Sequence, residues 1–105
     1  MPHEIHRNSR ASRDIRQFTR YLKREAGTET ARTYLAALEH DLEIVIAHNP
    51  NAFSWFHETG EPYRAKLFKL GRTAFWIIYI IDDARHRVDI ICLWNAARQS
   101  DTHGL

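Results

Sequence analysis

Arg64 and Lys66 are the residues of this 105-residue chain best placed to do chemistry. They stand two apart in an alternating run, so they share one side of a strand, and Lys69 and Arg72 follow at its end. Trp76 and Tyr79 come from the next segment, and Arg98 follows the last one. Guanidinium and ammonium groups on one sheet face bind RNA phosphates, and aromatics beside them stack on bases. The same cations also make a plain solvated surface, and residue types alone leave both readings open.

Other chemistries lack their parts. Seven histidines are present, yet none forms an HxH or HExxH pair. His40 and His48 are eight apart on one predicted helix, too far to share an ion, so no metal is expected. Four scattered glycines form no phosphate-cradling loop, and no cofactor is expected. Ser9, Ser12, Ser54 and Ser100 lack a nucleophile-elbow context. The one cysteine, Cys92, sits between Ile91 and Leu93, where burial would raise rather than lower its thiol pKa. Asp82 and Asp83 fall in a polar stretch that turn formation explains.

The elements that must position these residues change period midway. Ala11, Ile15, Phe18, Leu22 and Ala26 recur at helical steps, with Ser9 a candidate cap and Gly27 a candidate stop. Thr28 is placed to cap a second helix carrying Ala31, Tyr34, Leu35, Leu38, Leu42, Val45 and Ile46, which Asn49-Pro50 ends. So short a link predicts an antiparallel helical hairpin. From Tyr63 the pattern alternates, Gly71-Arg72 reads as a turn, and Thr73 to Ile81 reads as a central strand, apolar on both faces. A loop at Asp82–Arg87 leads to a last strand, Val88 to Trp94. The fold class is α+β: the hairpin packs on one face of a small, mainly antiparallel sheet of three to four strands, followed by a short C-terminal segment. Residues 1–105 are expected to form one domain, with 1–8 an N-terminal arm or edge strand and 99–105 a tail.

Two surfaces suggest a protein partner. Arg13, Arg16, Arg20 and Lys23 lie opposite Ile15, Phe18 and Leu22. Helix amphipathicity accounts for them, and an acidic partner segment is the functional alternative. Phe53, Trp55 and Phe56 form an aromatic cluster before the first strand of the second half. Val88, Ile90 and Cys92 alternate with Asp89, Ile91 and Leu93, so the last strand is apolar on both sides and a sheet face is expected to await a cover. Total charge decides little, because a formal +2 conceals a basic strip at 1–24, an acidic one at 25–43 and a second basic one at 64–72. The longest apolar run, Ala74 to Ile81, is eight residues against the about twenty that span a bilayer. The first residues do not read as a secretory signal, and a soluble cytoplasmic protein with no membrane partner is expected.

Several of these segments together resemble the RelE/ParE superfamily of bacterial toxins. They are the helix–Gly-Thr–helix run with Ala31-Arg32-Thr33-Tyr34-Leu35-Ala36-Ala37-Leu38, the Asn49-Pro50 stop, Tyr63-Arg64-Ala65-Lys66-Leu67, Gly71-Arg72, Phe75 to Asp82, and Val88-Asp89-Ile90-Ile91. The likeness spans roughly residues 8 to 99. It implies the toxin of a type II toxin–antitoxin pair, wrapped by a cognate antitoxin. RelE-like members cleave messenger RNA on the ribosome with basic sheet residues and a C-terminal tyrosine. Arg64, Lys66 and Arg98 match part of that set, but Trp76 stands where the next arginine belongs and no tyrosine follows Tyr79. ParE-like members bind DNA gyrase and do no chemistry. They resemble this chain in closing the last strand as Trp94-Asn95-Ala96-Ala97-Arg98 does.

The resemblance therefore implies a ParE-like gyrase inhibitor. Its partner would be a ParD-like antitoxin with a ribbon-helix-helix domain, through which alone it would reach operator DNA. Trp94, Asn95 and Arg98 would face the target, and Arg13, Arg16, Arg20, Phe53, Trp55 and Phe56 the partner. The alternatives are a RelE-like ribonuclease acting on ribosome-bound messenger RNA and a non-toxic binding module of the same fold.

Overall fold

Asn8 starts the first helix, one residue earlier than the sequence suggests: its backbone is extended and its side-chain oxygen accepts the Ala11 N–H at 2.8 Å. This computed structural model describes residues 1–56 and 60–95. Helix α1, Ser9–Ala26, ends at Gly27, whose N–H donates to the Lys23 carbonyl at 3.2 Å. Gly27 adopts φ 94° and ψ 166°, an extended positive-φ conformation open essentially only to glycine, rather than the left-handed helical one. The same residue opens α2, Thr28–His40, so Thr28 is the first helical residue and not the cap. One glycine thus folds α2 back on α1.

Helix α2 runs on as a π-turn over Asp41–Ile46. Its buried residues Leu38, Leu42 and Ile46 are four apart. On a regular α-helix each such step drifts about 40° around the axis. The wider π-turn cancels that drift and keeps all three side chains on the sheet.

The sheet has four strands in the order β1-β4-β3-β2: β1 is Glu4–Arg7, β2 Arg64–Leu70, β3 Thr73–Asp82 and β4 Arg87–Asn95. The strands β2, β3 and β4 are antiparallel, while β1 joins β4 in parallel as an edge strand. Within residues 1–8 the strand covers Glu4–Arg7. Ser54–Phe56 runs along part of the outer edge of β2, with Ala65 N–H donating to Ser54 O at 3.0 Å and Phe56 N–H to Tyr63 O at 2.7 Å.

A bulge decides which residues share a face. Tyr79 pairs with Ile90 and Ile78 with Cys92, so Ile91 is the extra residue. Val88 and Ile90 therefore join Phe75, Ile77 and Tyr79 beneath the helices, in one core with Ala11, Ile15, Leu38, Leu42 and Ile46. Cys92 and Trp94 cross to the opposite face, with Ile78 and Ala65. Simple alternation, which grouped Val88, Ile90 and Cys92, is overturned by this one residue. The opposite face is also not the open apolar groove expected at these positions. Ile78, Cys92 and Trp94 are buried, and Phe56 and Tyr63 pack on them from the chain before β2.

Candidate functional site

The register places Arg64 opposite Tyr79 and Lys66 opposite Ile77, so both cations lie on the helix-covered side, at its margin. Neither head group is left to solvent alone. Lys66 Nζ donates to Asp41 Oδ2 at 2.8 Å in a pair whose side chains are only 16 % and 18 % exposed. The π-turn delivers that carboxylate. Arg64 donates to the Phe53 carbonyl at 2.8 Å, and its guanidinium lies 3.9 Å from the centroid of the Trp55 ring. Tyr79 donates its hydroxyl to Pro50 O at 2.6 Å. These contacts fasten the chain from Pro50 to Trp55 onto the sheet. Lys69 lies on the other face and Arg72 in the β2–β3 turn, so the four cations of this segment do not converge.

The aromatic cluster divides. Phe56 is buried and Phe53 half-buried against the main core, which leaves Trp55, 48 % exposed, as its surface residue. At the end of β4 the three residues implied to face a target also separate. Trp94 is buried in the second cluster, with the Arg10 guanidinium 5.8 Å from its ring centroid. Asn95 is exposed, and Arg98 lies outside the described residues.

Asn95 borders an open cleft of about 520 Å³ between α1 and the start of β3. Phe18 and Phe75 meet edge to face in its wall, and Asp14, Tyr21 and Arg72 line it too. Asp14 was not singled out by its sequence pattern. It is the single acid among the cations of α1 before Glu25, and that was the available signal. Its Oδ2 accepts the Leu93 N–H at 3.1 Å, closing the edge of β4 past the point where the short β1 ends.

A second groove, about 370 Å³, runs between the helices. It is lined by Ile15, Thr19 and Leu35, with Arg16, Arg20 and Lys23 along one wall and Glu39 on the other. Arg13, Arg16 and Arg20 are exposed, and none has a hydrogen bond or ion pair among the described residues. Glu39 is engaged elsewhere: both its oxygens accept from Arg7 of β1, which also reaches Glu43 at 3.1 Å. Those bonds raise the Arg7 pKa further.

Burial sets the two remaining shifts. It pushes the Cys92 thiol up to about 11 and the Tyr79 hydroxyl well above its usual range, so both stay protonated at neutral pH. Among the described residues no three His, Cys, Asp or Glu side chains converge as a metal site would require. His3 and His86 instead stack, their ring centroids 3.9 Å apart. No described helix is long and apolar enough to cross a membrane.

No protein-family profile matches the sequence, and no curated protein matches it. Solved structures do. A chain of the toxin–antitoxin complex RelBE2 from Mycobacterium tuberculosis aligns with a TM-score of 0.64 at 16 % identity, over 92 % of this chain and 94 % of that one. A chain of the chromosomal ParDE toxin–antitoxin system from P. aeruginosa aligns at 0.63 and 12 %, over 89 % and 95 %. The hairpin on its four-stranded sheet is thus the RelE/ParE fold, shared over nearly the whole length of both neighbours.

Proposed function

We propose that this chain is the toxin of a type II toxin–antitoxin pair, a single domain over residues 1–105. It acts in the ParE-like manner, by binding DNA gyrase, and a ParD-like antitoxin neutralises it and carries the contact with operator DNA. The observation behind this reading is where Arg64 and Lys66 spend their donors. Cutting RNA demands a general base, a general acid and a cation at the scissile phosphate, all open to the substrate. Here Lys66 is bound to Asp41, and Arg64 is held by Phe53 O and Trp55. Such groups hold a fold together more readily than they turn over phosphodiesters. The exposed end of β4 at Asn95, beside the larger cleft, is the surface offered to the target.

The likeness to the RelBE2 chain is as close as that to the ParDE chain, so messenger cleavage is the competing outcome. Inducing the protein in bacterial cells separates them. Growth arrest with an SOS response and gyrase-trapped DNA breaks is the expected result. Rapid messenger decay with blocked translation would overturn the gyrase reading in favour of Arg64, Lys66 and Arg98 acting on RNA. Unimpaired growth would leave a non-toxic binding module.

A further inference from the structure

We propose that Asp14 is a positioning residue for the target-facing end of β4, holding Leu93, Trp94 and Asn95 on the course that presents Asn95. This deepens the toxin reading and rests on it for the role of that end. Strand β4 is held unevenly along its length. Up to Ile90 it lies between β3 and β1, and the last backbone bond from the β1 side runs from Asn8 N–H to Ile90 O at 3.2 Å. The bulge residue Ile91 then interrupts the ladder, and beyond it, among the described residues, only β3 pairs with Leu93, Trp94 and Asn95. Asp14 Oδ2 stands where a neighbouring strand would place a carbonyl, and it accepts the Leu93 N–H at 3.1 Å.

Local rules do not favour an aspartate at this place. Asp14 is the sixth residue of α1, past the first turn in which the helix dipole stabilises a carboxylate, and aspartate is a poor residue for a helix interior. The contact with β4 accounts for it. Arg10, four positions earlier, lies on the same side of the helix and brings its guanidinium to 5.8 Å from the centroid of the Trp94 ring. One turn of α1 thus grips two successive residues of β4, Leu93 by its backbone and Trp94 by its side chain. Cys92, the residue before them, feels both charges: burial raises its thiol most, Arg10 opposes the rise and Asp14 adds to it. Asp14, Leu93 and Asn95 all line the larger cleft, so a contact made there depends on where this strand end is held.

The test compares full-length wild type, Asp14→Ala and Asp14→Asn by hydrogen exchange of the Leu93 amide and by inhibition of DNA gyrase supercoiling. Asparagine keeps an acceptor for the Leu93 N–H and drops the charge, whereas alanine drops both. Asp14→Ala is expected to speed Leu93 exchange and to raise the half-inhibiting concentration, each by at least about tenfold, as suits the loss of a hydrogen bond to a charged group. Asp14→Asn should stay within about threefold of wild type on both measures. If Asp14→Ala fails to fold, Asp14→Leu, similar in volume and without an acceptor, takes its place. Undiminished inhibition by the folded alanine or leucine variant, or Leu93 exchange as slow as in wild type, would overturn the proposal. So would an Asp14→Asn as inactive as alanine with Leu93 still protected, because the carboxylate would then itself be the target contact. Wild type that leaves gyrase untouched sinks the gyrase reading alone. The same proteins are then ranked by growth arrest in cells, where the order wild type, Asp14→Asn, Asp14→Ala is expected. Equal arrest by all three overturns the positioning role, and a wild type that arrests nothing overturns it together with the toxin reading.

Discussion

At the scale of single residues, the decisive fact is that the most reactive-looking side chains are internally engaged. Lys66 and Asp41 form a pair largely screened from water. Removing one charge from such a contact leaves the other without its partner in a poor solvent. Asp41→Asn is therefore expected to cost about 1–3 kcal/mol, read from the urea midpoint. Replacing both partners, as Lys66→Met with Asp41→Leu, should recover most of that loss, because no orphaned charge remains. Cys92 gives a pH dependence of definite sign. Its thiol titrates at about 11 when folded against 9.0 in the ordinary range, so the folded state holds the proton more tightly. The stability this contributes is complete below about pH 9 and is lost as pH climbs to 11. Tyr79 acts in the same direction at higher pH. The thermal midpoint should fall over that window, and Cys92→Ala should flatten the first part of the fall.

At the scale of elements, the hairpin depends on one backbone conformation. A Cβ built on Gly27 meets nothing within 4 Å, so any penalty for a side chain there comes from the backbone alone. Gly27→Ala should cost about 1–3 kcal/mol, seen as a lower urea midpoint with an unchanged slope. Gly71 differs. With φ at 59° it also faces Tyr34, whose hydroxyl oxygen would lie 2.8 Å from an added Cβ, so a substitution there disturbs α2 as well as the β2–β3 turn. The π-turn is the other element-level device. It holds Leu42 and Ile46 in the core while aiming Asp41 at Lys66, which ties the end of the hairpin to the edge strand β2.

At the scale of the whole molecule, the short edge strand β1 sets the electrostatics of a groove it does not line. Arg7 takes up Glu39 and Glu43, and the stripe on α1 keeps its full charge as a result. Arg7→Ala releases Glu39 to turn toward Arg16 and Arg20. The expected outcome is a urea midpoint lowered by about 0.5–1 kcal/mol, as suits a partly exposed ion pair, with the loss shrinking at high salt. Arg7→Lys, which keeps one donor for Glu39, should fall between the two.

The main helices and inner strands, and their order, were legible in the spacing of side chains, because helical and strand periods are local properties. Two helices meeting at Gly27, a turn at Gly71, an inner strand apolar on both faces and a basic outer face of α1 all follow from residues a few positions apart. Tertiary structure alone decided where long side chains ended up. Lys66 finds Asp41 across 25 positions and Arg7 finds Glu39 across 32, and no local pattern encodes either choice. The bulge at Ile91 likewise appears only when β4 pairs with β3, and it is what sends Trp94 into the second cluster and leaves Asn95 as the described residue of its motif on the surface. Composition placed the cations; the register between strands and the reach of carboxylates from other elements determined which of them remain available to a partner.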